Sequence, residues 1–525
     1  MQDFNKENKS SMRKSLLYIV VLILVAGVTG CKKWLDLQPQ DGIIKEEFWK
    51  TKEQVKAAVF GIYSSLQEPA SGTYGRTNYI PALSELLFVW GEGRADNVAP
   101  ATFTSNDDIE LVNVNIQPVN VNVNWRPFYR TINFCNTVIQ KAPEVLANDN
   151  TFTQAELDHY ISEALSVRAL MYFYLVRSFG DVPLKLTATL TDEDITPIAK
   201  SSKDSILNQI VKDLTEAEAK AVITHGDRAS DKGRITKYTI NAIQADVYLW
   251  MDRYADCITA CDKVINSQKF GLIRGATVNG PIIEYNSSWF NTLYFNGNSD
   301  EGIFELQFDA QRLNPYFLMF SSSVARRWVA TPDLMDRVFS VDFTNSDNFD
   351  IRGDGASVRS ATSTIWKYVG ATFTTLRNID QSYAHWFFYR YADILLLKAE
   401  ALNESGLGQQ SLDIIYNVRR RANALAATDL TPTPTDKNLI QDFILQERSR
   451  EFCFEGKRWY DVLRNAKRNN YQRLGILLNM VSLSVPSNMQ QSAQAKMQDK
   501  NAHYLPIYLN ELQTNNLLVQ NPFYR

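Results

Sequence analysis

Histidine is scarce, with four in 525 residues, so a histidine-rich metal centre is not expected. Cysteine is scarce too: five residues do not make a disulfide framework. Neither sign of charge dominates. Lys and Arg total 55 against 58 Asp and Glu, a formal net of −3. The basic excess of a nucleic-acid binder is missing. No Gly-x-Ser-x-Gly elbow, phosphate-cradling Gly-rich loop or His-Glu-x-x-His pair occurs. Beyond residue 28 no run of about 18 apolar residues follows, so no later segment reads as membrane-spanning.

What is present is globular composition, 45% hydrophobic and 22% charged, in a chain long enough for a large core. Aromatics reach 12%, which leaves rings to spare for a binding surface. At the N-terminus, Arg13 and Lys14 precede the apolar run Leu16–Val28. That run is too short to span a bilayer and fits the h-region of a signal peptide. It ends in Val28-Thr29-Gly30-Cys31, which resembles a bacterial lipoprotein cleavage box with Val at 28 in place of the commoner Leu. Residues 1–30 are thus expected to be removed and Cys31 lipidated. Several acyl chains anchor a protein stably, at about 0.8 kcal/mol per buried CH₂.

Helical periodicity dominates the remainder. Phe48, Val55, Val59, Ile62 and Leu66 recur at three- to four-residue spacing, as do Trp125, Tyr129, Ile132, Asn136 and Ile139. Four segments read as helical hairpins: 155–179, 237–265, 391–421 and 440–463. In 237–265, Ala242, Ala245 and Ala260 let two helices approach around a turn at Asp252-Arg253-Tyr254, as in a tetratricopeptide unit. Residues 70–105 read as irregular. Residues 111–124 alternate Val and Asn, which predicts an extended segment interrupted by Pro118. Residues 275–385 read as a lobe of loops and short strands, with a strand at 303–308. Residues 486–500 read as a mobile loop.

Four segments, in order, then resemble one family. They are Arg168-Ala169-Leu170 through Phe179-Gly180-Asp181-Val182-Pro183, Arg390-Tyr391-Ala392-Asp393 with Ala399-Glu400-Ala401-Leu402-Asn403-Glu404, Glu447-Arg448-Ser449-Arg450-Glu451-Phe452 with Phe454-Glu455-Gly456-Lys457-Arg458-Trp459-Tyr460-Asp461, and Leu505-Pro506-Ile507 with Gln520-Asn521-Pro522-Phe523-Tyr524. Together with the cleavage box they resemble the SusD/RagB group of surface lipoproteins. Tyr508 and Phe523 depart from the usual Pro and Gly. The resemblance implies a mostly α fold: a tetratricopeptide-like hairpin scaffold with a second lobe of loops, short helices and short strands. It implies a signal peptide at 1–30, an N-terminal region at 31–270 and a C-terminal region at 271–525. It also implies a non-catalytic role. The protein would bind a nutrient oligosaccharide or polysaccharide at the outer membrane and pass it to a SusC-like TonB-dependent transporter.

The motif charges read as structural. Glu447 with Arg450, Arg448 with Glu451, and Arg458 with Asp461 sit at i,i+3, the spacing of ion pairs along a helix. Ligand contacts are sought among polar groups and aromatics in irregular segments: Tyr74, Arg76, Trp90, Arg94, Asp96, Asn97, Trp289, Tyr294, Phe295 and Trp328. Aromatic faces stack on sugar rings, and Arg, Asp and Asn bond hydroxyls. Two other readings compete. A surface glycan hydrolase needs an acid pair across a cleft, for which Glu85, Glu92 and Asp96 are the best placed. A protein-interaction scaffold would use a polar groove. Cys257 and Cys261, at i,i+4, read as core rather than metal ligands. No cofactor is expected; Asp342, Asp347, Asp350 and Asp354 are the one calcium candidate, without EF-hand order. Arg352-Gly353-Asp354 spells an adhesion tripeptide, at chance level.

Overall fold

Small residues at helix crossings and Gly at helix ends build the scaffold. A computed structural model describes residues 48–279, 282–285, 289–339, 349–424 and 430–525. The signal segment and Cys31 lie outside them. Helices of ten residues or more are α1 (Lys52–Leu66), α2 (Leu83–Glu92), α3 (Arg126–Leu146), α4 (Gln154–Phe179), α5 (Lys203–Lys220), α6 (Lys237–Trp250), α7 (Tyr254–Ile265), α8 (Tyr391–Glu404), α9 (Gly408–Arg421), α10 (Lys437–Glu451), α11 (Arg458–Tyr471) and α12 (Leu474–Ser484). The pairs α4/α5, α6/α7 and α8/α9 pack as antiparallel hairpins, and α7 packs on α8 to continue the stack. Ala242, Ala245, Ala260, Ala392 and Ala399 are all fully buried or nearly so at these crossings. Helix α4 ends at Gly180, whose φ of 75° is open to glycine and strained for other residues.

Among the described residues short strands form two-stranded pairs only. Those of three residues or more are β1 (Val98–Pro100), β2 (Ala276–Asn279), β3 (Ile282–Tyr285), β4 (Gly302–Leu306), β5 (Trp328–Ala330) and β6 (Trp386–Arg390). The pairs β1/β5 and β4/β6 are antiparallel, and every residue of β4 and β6 is buried. Register slips at Phe388, so β6 carries a bulge just before Arg390. Thr51–Arg525 is one compact unit.

Four expectations need correction. Residues 155–179 are not a hairpin in themselves but one continuous helix, α4, which packs on α5. Residues 111–124 are not extended: a helix ends at Val112 and a 3₁₀ turn covers Val121–Val123. The Asn side chains bond locally instead. Asn120 accepts from the Asn122 backbone N–H, and the Asn122 side chain donates to Asp108. Residues 486–500 are not a loop but a turn and a helix, Gln490–Met497, with Ala493 and Met497 buried. Residues 70–105 hold α2, whose ten residues are all buried.

The motif charges also pair differently from the simple helical pattern. Only Glu447 and Arg450 meet along the helix, at 3.4 Å. Arg448 turns to Asp393 and Asp461, and Arg458 turns to Asp96. Arg390 is the hub of a buried network: its guanidinium lies 2.6 Å from Glu301, 2.5 Å from Glu451 and 3.0 Å from Glu455. Arg421 bonds Glu301 and Glu451, Lys367 bonds Glu455, and Arg352 bonds Asp350, Glu447 and Glu451. Cation and carboxylate alternate, so each charge removed from water is compensated. Arg352 is therefore spent inside the protein, and the adhesion tripeptide is not available to a partner.

Candidate ligand-binding site

Seven of the ten expected contact residues are core. Helix α2 is buried on every face, its Glu85 and Glu92 included, as a helix set inside a large core must be. Its Trp90 stacks on Phe128 at 4.4 Å, meets Phe179 edge-on and donates its Nε1 to the Asn122 carbonyl. No face remains for a sugar. Trp289 and Trp328 are fully buried and Tyr294 is nearly so. Asn97 is fully buried, with its amide 3.4 Å from Ser449 Oγ. Arg94 lies 3.8 Å over the Trp459 ring and donates to the His503 carbonyl at 2.9 Å. Burial pulls its guanidinium down to about 10. Asp96 holds Arg458 and Arg337, each at 2.8 Å. Burial opposes its charge, but the two guanidinium groups outweigh that and keep the carboxyl below its ordinary value. The error has one physical source. An aperiodic segment need not be a solvated one, and a Trp side chain gains most from burial.

Tyr74, Arg76 and Phe295 do reach the surface. Tyr74 is half-buried at the rim of the loop Ser71–Tyr79. Its hydroxyl donates to Asp108 at 2.7 Å and accepts the Ser105 N–H at 2.9 Å. The Arg327 guanidinium lies 4.4 Å over its ring and bonds Asp108 at 3.0 Å. Burial and the neighbouring Asp108 carboxylate raise the Tyr74 phenol above its ordinary value. These contacts tie the 71–79 loop to the 101–105 loop, which is itself fastened by the Ala101 N–H to the Arg327 carbonyl. The tied pair presents Arg76, which is exposed, and Phe103, which is 69% exposed. Phe103 was not among the expected residues. Its signal is a lone ring in Ala-Thr-Phe-Thr-Ser with no apolar neighbour at helical or strand spacing. Phe295 is half-buried in a separate cluster, under Arg377 at 4.2 Å and beside Tyr383.

A different cleft opens on the helical side, between α10, α11 and α12. It has a volume of about 400 Å³ and adjoins a second of about 200 Å³. Asp96, Gln446, Arg458 and Asn479 line both, and no aromatic residue lines either.

The three acids weighed for hydrolysis do not converge on one cleft. Glu85 accepts from Tyr79 and lies 3.3 Å from Arg327. Glu92 is fully buried against the Lys457 N–H at 3.2 Å. Burial pushes it up to about 8, against the pull of backbone N–H groups from the Gly456–Arg458 turn. Of the calcium candidates, Asp350 bonds Arg352 and Asp354 bonds Arg359 and Ser360; Asp342 and Asp347 lie outside the described residues. Cys257 and Cys261 are fully buried in the α6/α7 hairpin.

Stacked helical hairpins joined to a loop-built lobe of two-stranded pairs define a mostly α class of binding protein. The chain is a SusD-like family protein. A family model described as "SusD family" matches residues 340–524, and one described as "Starch-binding associating with outer membrane" matches 33–249. The chain is similar to SusD-like protein P38 of Formosa agariphila, 27% identical over 494 residues, covering 85% of this chain and 90% of that one. The crystal structure of a SusD superfamily protein from Bacteroides vulgatus superposes with a TM-score of 0.72 at 21% identity, covering 91% of this chain and 100% of the other. A laminarin-binding SusD-like protein superposes at 0.63 with 19% identity, covering 90% and 99%. Among the described residues no helix is long and apolar enough to cross a membrane.

Proposed function

We propose that this protein is a surface lipoprotein, anchored through Cys31 at the outer membrane. It captures a glycan and delivers it to a SusC-like TonB-dependent transporter without chemistry on the ligand. The observation that carries the capture step is the loop pair tied through Tyr74, one loop exposing Arg76 and the other Phe103. An exposed ring offers its face to the apolar side of a sugar, and a guanidinium bonds hydroxyls at fixed angles. Loops already fastened through Tyr74 and Asp108 lose little freedom on binding. The matched description of starch binding at the outer membrane supports the ligand class. The cleft on the helical side, lined by aliphatic and polar side chains and free of aromatics, suits a protein partner better than a sugar, and is assigned to the transporter contact.

Affinity gel electrophoresis against a panel of polysaccharides tests the capture step. Retardation by one glycan class is expected for the native chain, with at least a tenfold weaker effect for Phe103→Ala and Arg76→Ala. Incubation with that glycan should release no reducing ends. Undiminished retardation of both variants would move the site elsewhere, and released sugar would restore the hydrolase reading.

A further inference from the structure

Two of the four histidines come together. Helix α4 places His159 and Glu163 one turn apart on one face, and the loop between α5 and α6 brings in His225. The two imidazole centroids lie 5.0 Å apart. One donor atom from each of His159, Glu163 and His225 falls within 4.8 Å of the other two. We propose that these three side chains bind a late first-row divalent cation, of the zinc class. Two imidazoles and a carboxylate are a donor set suited to such an ion, leaving a fourth position for water.

The hydrogen bonds leave the right lone pairs vacant. The Nε2 of His225 lies 2.9 Å from the Ile235 carbonyl, an acceptor, so that nitrogen carries the proton and Nδ1 presents a lone pair. A backbone carbonyl that fixes the tautomer in this way is the usual outer partner of a metal-binding histidine. The buried Nε2 of His159 has no partner in hydrogen-bonding geometry, yet it lies 3.1 Å from Glu163 Oε1. Bonds of about 2.0–2.1 Å in a tetrahedral site put neighbouring donors about 3.3 Å apart, so this edge is already near the required length. A carboxylate has about four acceptor positions. On Glu163, Tyr63 and Arg234 Nε take the two on Oε2, and Arg234 Nη2 takes one on Oε1. The remaining one faces His159.

Arg234 also opposes the ion. Its positive charge sits on the same carboxylate at 2.6 Å, so binding is weaker than at a closed structural zinc site. The ion would pin the 223–235 loop, which includes one wall of a cleft of about 300 Å³, onto α4. The proposal owes nothing to the glycan reading and can fail separately from it.

The test is titration of the tag-free, metal-stripped full-length protein with Co²⁺, read by visible absorption. Zn²⁺ follows as competitor, with melting temperature recorded alongside. One equivalent of Co²⁺ in a low-symmetry site is expected, displaced by Zn²⁺, with a raised melting temperature. His225→Ala should weaken Co²⁺ binding at least tenfold and keep the metal-free melting temperature. His159→Gln gives a second reading should His225→Ala not fold. No Co²⁺ spectrum with the native chain would overturn the proposal. So would a spectrum that survives in both variants.

Discussion

Arg390 shows how single residues set stability here. It touches three carboxylates and has no contact with solvent. Replacing it by Met would leave Glu301, Glu451 and Glu455 buried with less positive charge. Removing one partner of a buried pair costs about 3–5 kcal/mol, and a loss of that order is expected for Arg390→Met in urea denaturation. Glu92 behaves oppositely. Its folded pKa of about 8 stands above the unfolded value near 4.5. The fold thus retains a proton that the unfolded chain has lost, and stability falls as pH rises from about 4.5 to 8. Glu92→Gln should flatten that limb. The native-minus-variant difference in melting temperature across pH 5–8 is the check, because His503, lowered by burial to about 4, also titrates below its ordinary 6.5. Acid acts at the salt bridges. Burial raises Asp393, but Lys457 and Arg448 outweigh it and hold it at about 2. Its contribution is complete above about pH 4 and disappears as pH falls toward 2. Neither the Arg390 hub nor the Glu92 burial was legible in the sequence. The hub joins residues 61 to 89 positions apart, and no local spacing encodes such a pair.

At the scale of elements, legibility followed periodicity. The hairpins 237–265 and 391–421 are long, amphipathic and punctuated by turn residues, and their observed bounds agree with the expectation to within a residue. The strand at 303–308 was legible by alternation and is observed as Gly302–Leu306. The same period misled at 111–124, because Asn side chains satisfy local backbone groups as readily as they face solvent. Helix α2 is not legible because a short segment buried on all faces shows no amphipathic period, and that puts Trp90 among the site candidates. That helix packs backbone to backbone. A Cβ at Gly91 would stand 1.9 Å from the Gly456 carbonyl oxygen. Gly91→Ala should therefore cost about 3 kcal/mol, the upper end of ordinary overpacking. Gly475→Ala in α12 meets nothing within 4 Å and should gain about 0.5–1 kcal/mol. Paired denaturation curves of the two variants separate steric conflict from helix propensity.

Over the whole molecule, the family motifs proved to be the ion network and the helix seams. They identify the fold and leave the ligand to loops that carry no motif. The sequence points to Trp, Tyr and Phe side chains of irregular segments for an aromatic platform, whereas the most exposed of the large hydrophobic side chains among the described residues is Phe103, on a loop without a motif. Glycan capture should accordingly depend on Phe103 while stability does not: Phe103→Ala is expected to leave the melting temperature within about 1 °C, as for most exposed substitutions.

The Gly91–Gly456 seam has a consequence for synthesis. The chain leaves the ribosome from its N-terminus, and Glu92 waits for Lys457, which is 365 residues later. Until then a helix made to be buried on all sides lacks part of its cover, and Arg352 and Arg390 lack the carboxylates of Glu447, Glu451 and Glu455. The seam is thus among the last contacts to form, and a chain stopped before Gly456 lacks it altogether.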